Sequence, residues 1–131
     1  MTRVLLLLAG LGLASATVGR SFALVQSPAS TARQTVDVSA ERFAFTPSEI
    51  RMRRGTTLAI RLTSDDTAHG FRIIGTSVNV EIPKRGRGAT TVTFTPESTG
   101  RYTFECSKLC GAGHSFMRGV IVVEAASEDG R

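Results

Sequence analysis

Between Thr56 and Ser64 the chain reads TTLAIRLTS, in which Leu58, Ile60 and Leu62 alternate with Thr57, Ala59, Arg61 and Thr63. A period of two sends successive side chains to opposite faces of an extended strand, so one face is apolar and the other is wet. The alternation returns in ATTVTFT (89–95), where Val92 and Phe94 share a face. Six more short runs fit extended structure: TVDVSAERFAF (35–45), EIRMRRG (49–55), GFRIIG (70–75), VNVEI (78–82), RYTFEC (101–106) and GVIVVEA (119–125). Turn residues divide them, namely Thr46-Pro47, PKRGRG (83–88) and PESTG (96–100). Beyond the N-terminal segment there is no ten-residue amphipathic helical run and no internal repeat. The pattern predicts an all-β fold, an antiparallel Greek-key β-sandwich of seven or eight strands. A chain of 131 residues has room for one such domain.

The first twenty residues, MTRVLLLLAGLGLASATVGR, have a different character. Arg3 precedes an uncharged run from Val4 to Gly19, and the small residues ASA (14–16) follow the layout of a secretory signal cleaved after Ala16. SFA (21–23) is a second small-residue candidate. The alternative is a single membrane anchor: as a helix the run rises roughly 24 Å, short of the roughly 30 Å hydrocarbon core, but flanking arginines can snorkel. Either way the remainder is exported. The expected organisation is a signal peptide or membrane anchor over 1–23, a linker over 24–34 containing SPASTARQ, the folded domain over 35–126 and a tail over 127–131. The net charge of +5 rests mainly on arginine, in clusters at Arg51, Arg53 and Arg54 and at Lys84, Arg85 and Arg87. No nucleic-acid motif accompanies them and the one tyrosine offers no stacking platform, so both clusters read as solvated faces and no nucleic-acid partner is expected.

The chemistry concentrates in CSKLCGAGHSFM (106–117), in the loop expected over 107–118 between the last two strands. It holds both cysteines, Cys106 and Cys110, one of the two histidines, His114, and one of the three methionines, Met117. One reading is a disulfide, the default for paired cysteines in an exported chain. A Cys106–Cys110 bridge closes so short a loop, however, that it stabilises little. The other reading is a metal site. Thiolate, imidazole and thioether suit copper, no carboxylate lies in the loop to favour a hard cation, and methionine is a poor zinc ligand. Gly111 and Gly113 allow the tight bend that brings the donors together. His69, in DDTAHGF, sits at a strand end from which it can face the same loop. Met52 and Phe116 are expected in the core.

The stretch CSKLCGAGHSFMRGVIVVE, with TAHGFRI and VNVEI upstream, resembles the dinuclear copper A domain of cytochrome c oxidase subunit II in its compact bacterial form, a cupredoxin sandwich. The resemblance covers roughly residues 36–124 and rests on the specific Cys-x3-Cys-x3-His-x2-Met spacing. It implies two copper ions bridged by Cys106 and Cys110, with His69 and His114 each binding one. It implies Met117 as a weak axial ligand on one copper and the backbone carbonyl of Lys108 on the other. Many family members carry a glutamate where this chain has Lys108. The resemblance further implies electron transfer from a cytochrome c or small copper protein to a haem–copper oxidase catalytic subunit, with no catalysis by the chain alone. The expected location is the periplasm or the outer face of the bacterial cytoplasmic membrane, with membrane attachment through the N-terminal segment or the oxidase. A free exported carrier and a copper storage or delivery protein are the alternatives.

Overall fold

The computed structural model describes residues 32–126. The expected signal or anchor over 1–23, most of the linker and the tail lie outside the described residues. The described residues form nine strands: β1 (Arg33–Glu41), β2 (Ala44–Thr46), β3 (Glu49–Arg53), β4 (Thr57–Ser64), β5 (His69–Ile73), β6 (Asn79–Ile82), β7 (Thr90–Phe94), β8 (Gly100–Glu105) and β9 (Arg118–Glu124). A single 3₁₀ turn over His114–Phe116 is the only helical element among the described residues. One sheet has the order β2-β1-β4-β7 and the other β3-β9-β8-β5-β6.

The alternating patterns become the two inner faces. Leu58, Ile60 and Leu62 of β4 and Val92 and Phe94 of β7 are buried, facing Ile50 and Met52 of β3, Phe104 of β8 and Ile121 and Val123 of β9 within one core. At its centre Phe45, Phe71 and Phe104 pack with ring centroids 5.1–5.7 Å apart, two of the three contacts edge to face.

Three expectations change. The run 35–45 is two strands and begins earlier, at Arg33: the chain reverses at Arg42-Phe43, and Ser39, Ala40 and Glu41 pair with Thr46, Phe45 and Ala44. This brings the count to nine. The sheets are mixed, because β1 runs parallel to β4 and β3 parallel to β9. After β2 the chain crosses to the other sheet at Thr46-Pro47, where proline has no N–H to continue a ladder, and recrosses after Gly55 to lay β4 beside β1. Thirdly, Phe116 is 79% exposed and outside the core, since the 3₁₀ turn directs it outwards while Met117 next to it goes in.

Candidate metal centre

The loop between β8 and β9 is closed at its neck and bent inside. Cys106 N–H donates to Met117 O at 3.0 Å, directly beyond the last strand pair, Glu105 with Arg118. Inside it, His114 N–H, Phe116 N–H and Met117 N–H bond to the carbonyls of Gly111, Gly113 and His114, forming the 3₁₀ turn. Gly111 has a φ of +143°, which only glycine adopts readily. Gly113 has an ordinary φ of −92°, and its need is space, because a Cβ there would run into the Phe43 ring.

This geometry gathers every side chain expected at the site. The Cys106 and Cys110 thiols are free and 3.9 Å apart, far beyond the roughly 2.05 Å of a disulfide. Cys106 Sγ lies 4.0 Å from His69 Nδ1 and 3.1 Å from the Lys108 carbonyl. Cys110 Sγ lies 3.8 Å from His114 Nδ1 and 3.8 Å from Met117 Sδ. One donor atom each from His69, Cys106 and Cys110 falls within 4.8 Å of the others. Donors bonded to one ion at about 2.0–2.3 Å lie roughly 3.5 Å from each other, so these spacings suit soft-metal coordination after small adjustments.

The second sheet anchors this loop. Gly70 of β5 lies directly beneath it, and Gly70 N–H points at Cys106 Sγ from 3.5 Å. Ser107 Oγ donates to Asn79 Oδ1 at 2.8 Å and Lys108 Nζ to Glu81 Oε2 at 2.9 Å, both acceptors on β6. Behind the site, His69 is fully buried and its Nε2 is 2.7 Å from Asp66 Oδ1. A neutral imidazole carries one proton, and a carboxylate at Nε2 places it there, leaving the Nδ1 lone pair facing Cys106. Burial pushes the Asp66 carboxyl up. Hydrogen bonds from His69, Arg42 N–H and Thr67 N–H outweigh it and hold the group below its ordinary value.

The Cys110 thiol is pushed up to about 11 from 9.0, first by burial and then by the neighbouring Cys106 thiol, with the Arg42 charge pulling the other way. The folded chain therefore holds this proton more tightly than the unfolded chain. That contribution is intact below pH 9.0 and is lost as pH rises towards about 11. Denaturant titrations of metal-free protein at stepped pH will show stability falling across that window.

Arg42, Phe43, Asp66 and Gly70 were not singled out by sequence reasoning. A carboxylate three residues before the one upstream histidine was the available signal for Asp66. The others depend on tertiary contacts that no local pattern announces.

Comparison with known proteins agrees with this architecture. Cytochrome c oxidase subunit 2 of Thermus thermophilus is 38% identical over 90 residues, covering 69% of this chain and 65% of that protein. The chain thus spans just under two thirds of that relative's length, 65%. A cryo-EM structure of a heme-copper terminal oxidase dimer contains a chain 31% identical to this one, with a TM-score of 0.62 over 72% of this chain and 66% of that one. The periplasmic domain of subunit II of cytochrome oxidase from Bradyrhizobium japonicum shares the fold, with a TM-score of 0.63 at 20% identity over 70% of this chain and 83% of that one. The Cupredoxin-like domain family matches residues 13–123, and with the two-sheet sandwich and the donor loop at its end already evident, the chain belongs to that family.

Proposed function

We propose that the chain is an exported copper A domain that accepts single electrons and passes them to a haem–copper oxidase catalytic subunit. One observation carries this reading: the donors divide into two sets that meet at the thiol pair. Cys106 has His69 and the Lys108 carbonyl beside it, Cys110 has His114 and Met117, and the thiols are 3.9 Å apart. Such a division is what two copper ions held at a shared thiol pair would require, each with its own histidine and a weaker donor.

Copper held there supplies one-electron redox chemistry. The chain's own residues keep the donors still while the charge changes. His69 is fixed by Asp66 at the start of β5, Cys106 and Met117 are tied at the loop neck, and Ser107 and Lys108 are bound to β6. A centre whose donors hardly move transfers electrons with little rearrangement. Ligand identity and the surrounding hydrogen bonds set its potential.

Leu109 and Phe116, 80% and 79% exposed, lie on the same loop as Cys110 and His114 and offer apolar surface for a brief encounter with a donor, a cytochrome c or small copper protein. The oxidase relatives support the acceptor, and the periplasmic relative supports a location outside the cytoplasm.

Metal analysis with electron spin resonance tests the proposal. Two coppers per chain and one electron shared over two nuclei are expected, and one copper with a mononuclear blue spectrum would overturn it. Lys108→Ala is expected to keep both coppers, because its ligand is a backbone oxygen. The lost pair with Glu81 is solvent-exposed and worth at most about 1 kcal/mol. Loss of copper in that variant would refute the carbonyl assignment.

A further inference from the structure

Two residues outside the donor set join the two sides of the centre. Asp66 accepts hydrogen bonds from separate elements on its two oxygens: Arg42 N–H at 3.0 Å on Oδ2 and His69 Nε2 at 2.7 Å on Oδ1. Arg42 then extends its side chain the other way, and Nε–H donates to the Cys110 carbonyl at 2.7 Å. Its neighbour Phe43 covers Gly111 and Gly113, so the β1–β2 turn is seated on the donor loop by a ring as well as by a hydrogen bond. The path runs His69, Asp66, Arg42, Cys110. It links a strand of the second sheet to the metal loop through a turn of the first sheet, without passing through any metal.

We propose that Arg42 and Asp66 form a clasp, two positioning residues that fix the separation of His69 from Cys110 and the orientation of the imidazole before metal arrives. This inference rests on the copper reading above. The physical case is the series arrangement. His69 is on β5 and Cys110 on the loop after β8, and the β1–β2 turn is a third body that bonds Asp66, the partner of His69, on one side and the Cys110 carbonyl on the other. Asp66 fixes the ring through Nε2, so Nδ1 is presented to Cys106 and cannot swing away. Ser64 buttresses the carboxylate, its Oγ within 3.4 Å of Asp66 Oδ1 and accepting Asp66 N–H at 3.2 Å. Arg42 is suited to its task because the Nε donor bonds Cys110 while the backbone N–H remains free for Asp66. Rigid outer contacts of this kind lower the cost of ordering the donors on binding, and losing one typically weakens metal binding about 10–100-fold.

The arms separate by mutation. Arg42→Ala releases the loop and leaves the backbone N–H to Asp66. Asp66→Ala releases the ring and the turn together. We expect each variant to fold, judged by circular dichroism of the metal-free protein, and, with the copper first reduced by dithionite, to hold it about 10–100-fold more weakly than the parent in equilibrium competition with a Cu(I) chelator. Since the arms act in series, the double variant is expected to lose much less than the product of the single effects. Nitrogen NMR of the metal-free chain is expected to show His69 as the Nε2–H tautomer in the parent and as a tautomer mixture in Asp66→Ala. Should Asp66→Ala unfold, Asp66→Asn answers the same question, as its amide accepts from one of the two donors and repels the other. Folded variants that hold copper as the parent does, or whose effects multiply independently, would overturn the clasp. A parent that takes up no copper overturns the copper reading instead, while the metal-free tautomer measurement still judges the clasp.

Discussion

Cys106→Ser is expected to abolish the shared-electron spectrum and to reduce copper from two ions per chain to one or none. The sulfur of Cys106 is where the two donor sets meet: it lies 4.0 Å from His69 Nδ1, 3.1 Å from the Lys108 oxygen and 3.9 Å from Cys110 Sγ. A serine hydroxyl is a harder donor that stays protonated at neutral pH, so it cannot replace a bridging thiolate for a soft ion. The substitution is nearly isosteric at a buried position, and the metal-free fold should survive it. That separates loss of the centre from loss of the protein. The measurement is metal content with electron spin resonance on the same sample, beside a thermal melt of the metal-free form. A variant that retains both coppers and the shared electron would show that Cys106 is not a bridge.

Gly70→Ala is the second large expected effect, and it reaches the centre from below. A Cβ at this position would lie 2.6 Å from Lys108 N and 2.8 Å from Ser107 N, with Ser107 Oγ closer still. Backbone atoms cannot swing aside as a long side chain can, so the whole Ser107–Lys108 segment has to lift. Lifting it stretches the bonds to Asn79 and Glu81 and moves the Lys108 carbonyl away from Cys106. Overpacking of this kind typically costs about 1–3 kcal/mol. The centre should suffer more than the fold, because the displaced segment carries one proposed ligand, the Lys108 carbonyl, and connects two others, Cys106 and Cys110. The expected result is a lowered melting temperature of the metal-free protein together with incomplete copper loading. Full loading with an unchanged spectrum would mean that the loop tolerates displacement and that its seat on β5 is not part of the site.

The clustering of the soft side chains was readable in the sequence because they are dense and chemically unusual. Cys106, Cys110, His114 and Met117 stand within one loop, and His69 is the one other histidine. The inner faces were readable for a different reason: in β4 and β7 a buried face imposes a period of two that survives in the residue order. What failed to show has a common cause. The reversal at Arg42-Phe43 carries no glycine, proline or asparagine, and its one trace is a change of phase, from apolar Val36, Val38 and Ala40 to Phe43 and Phe45. The parallel pairings depend on which sheet a strand joins after a turn, and local periodicity is the same for either choice. Phe116 was assigned to the core from its hydrophobicity, whereas the 3₁₀ turn His114–Phe116 buries none of its residues and the inward position falls just after it, at Met117. The contacts of Arg42 and Asp66 join segments 24 and 68 residues apart, where only tertiary structure brings them together.

The place of β9 in its sheet bears on the order in which the molecule is completed. It is the last of the nine strands among the described residues, yet it lies between β3 and β8 and pairs with both. A nascent or translocating chain lacking this strand has two unpaired edges where the finished sheet has an interior, and such edges invite association with other chains. The neck of the metal loop is also missing at that stage, because Met117, which closes it, immediately precedes β9. Synthesis must therefore extend through β9 before the loop neck closes, so the side chains of Cys106, Cys110, His114 and Met117 are gathered only after the sheet's interior strand has been made.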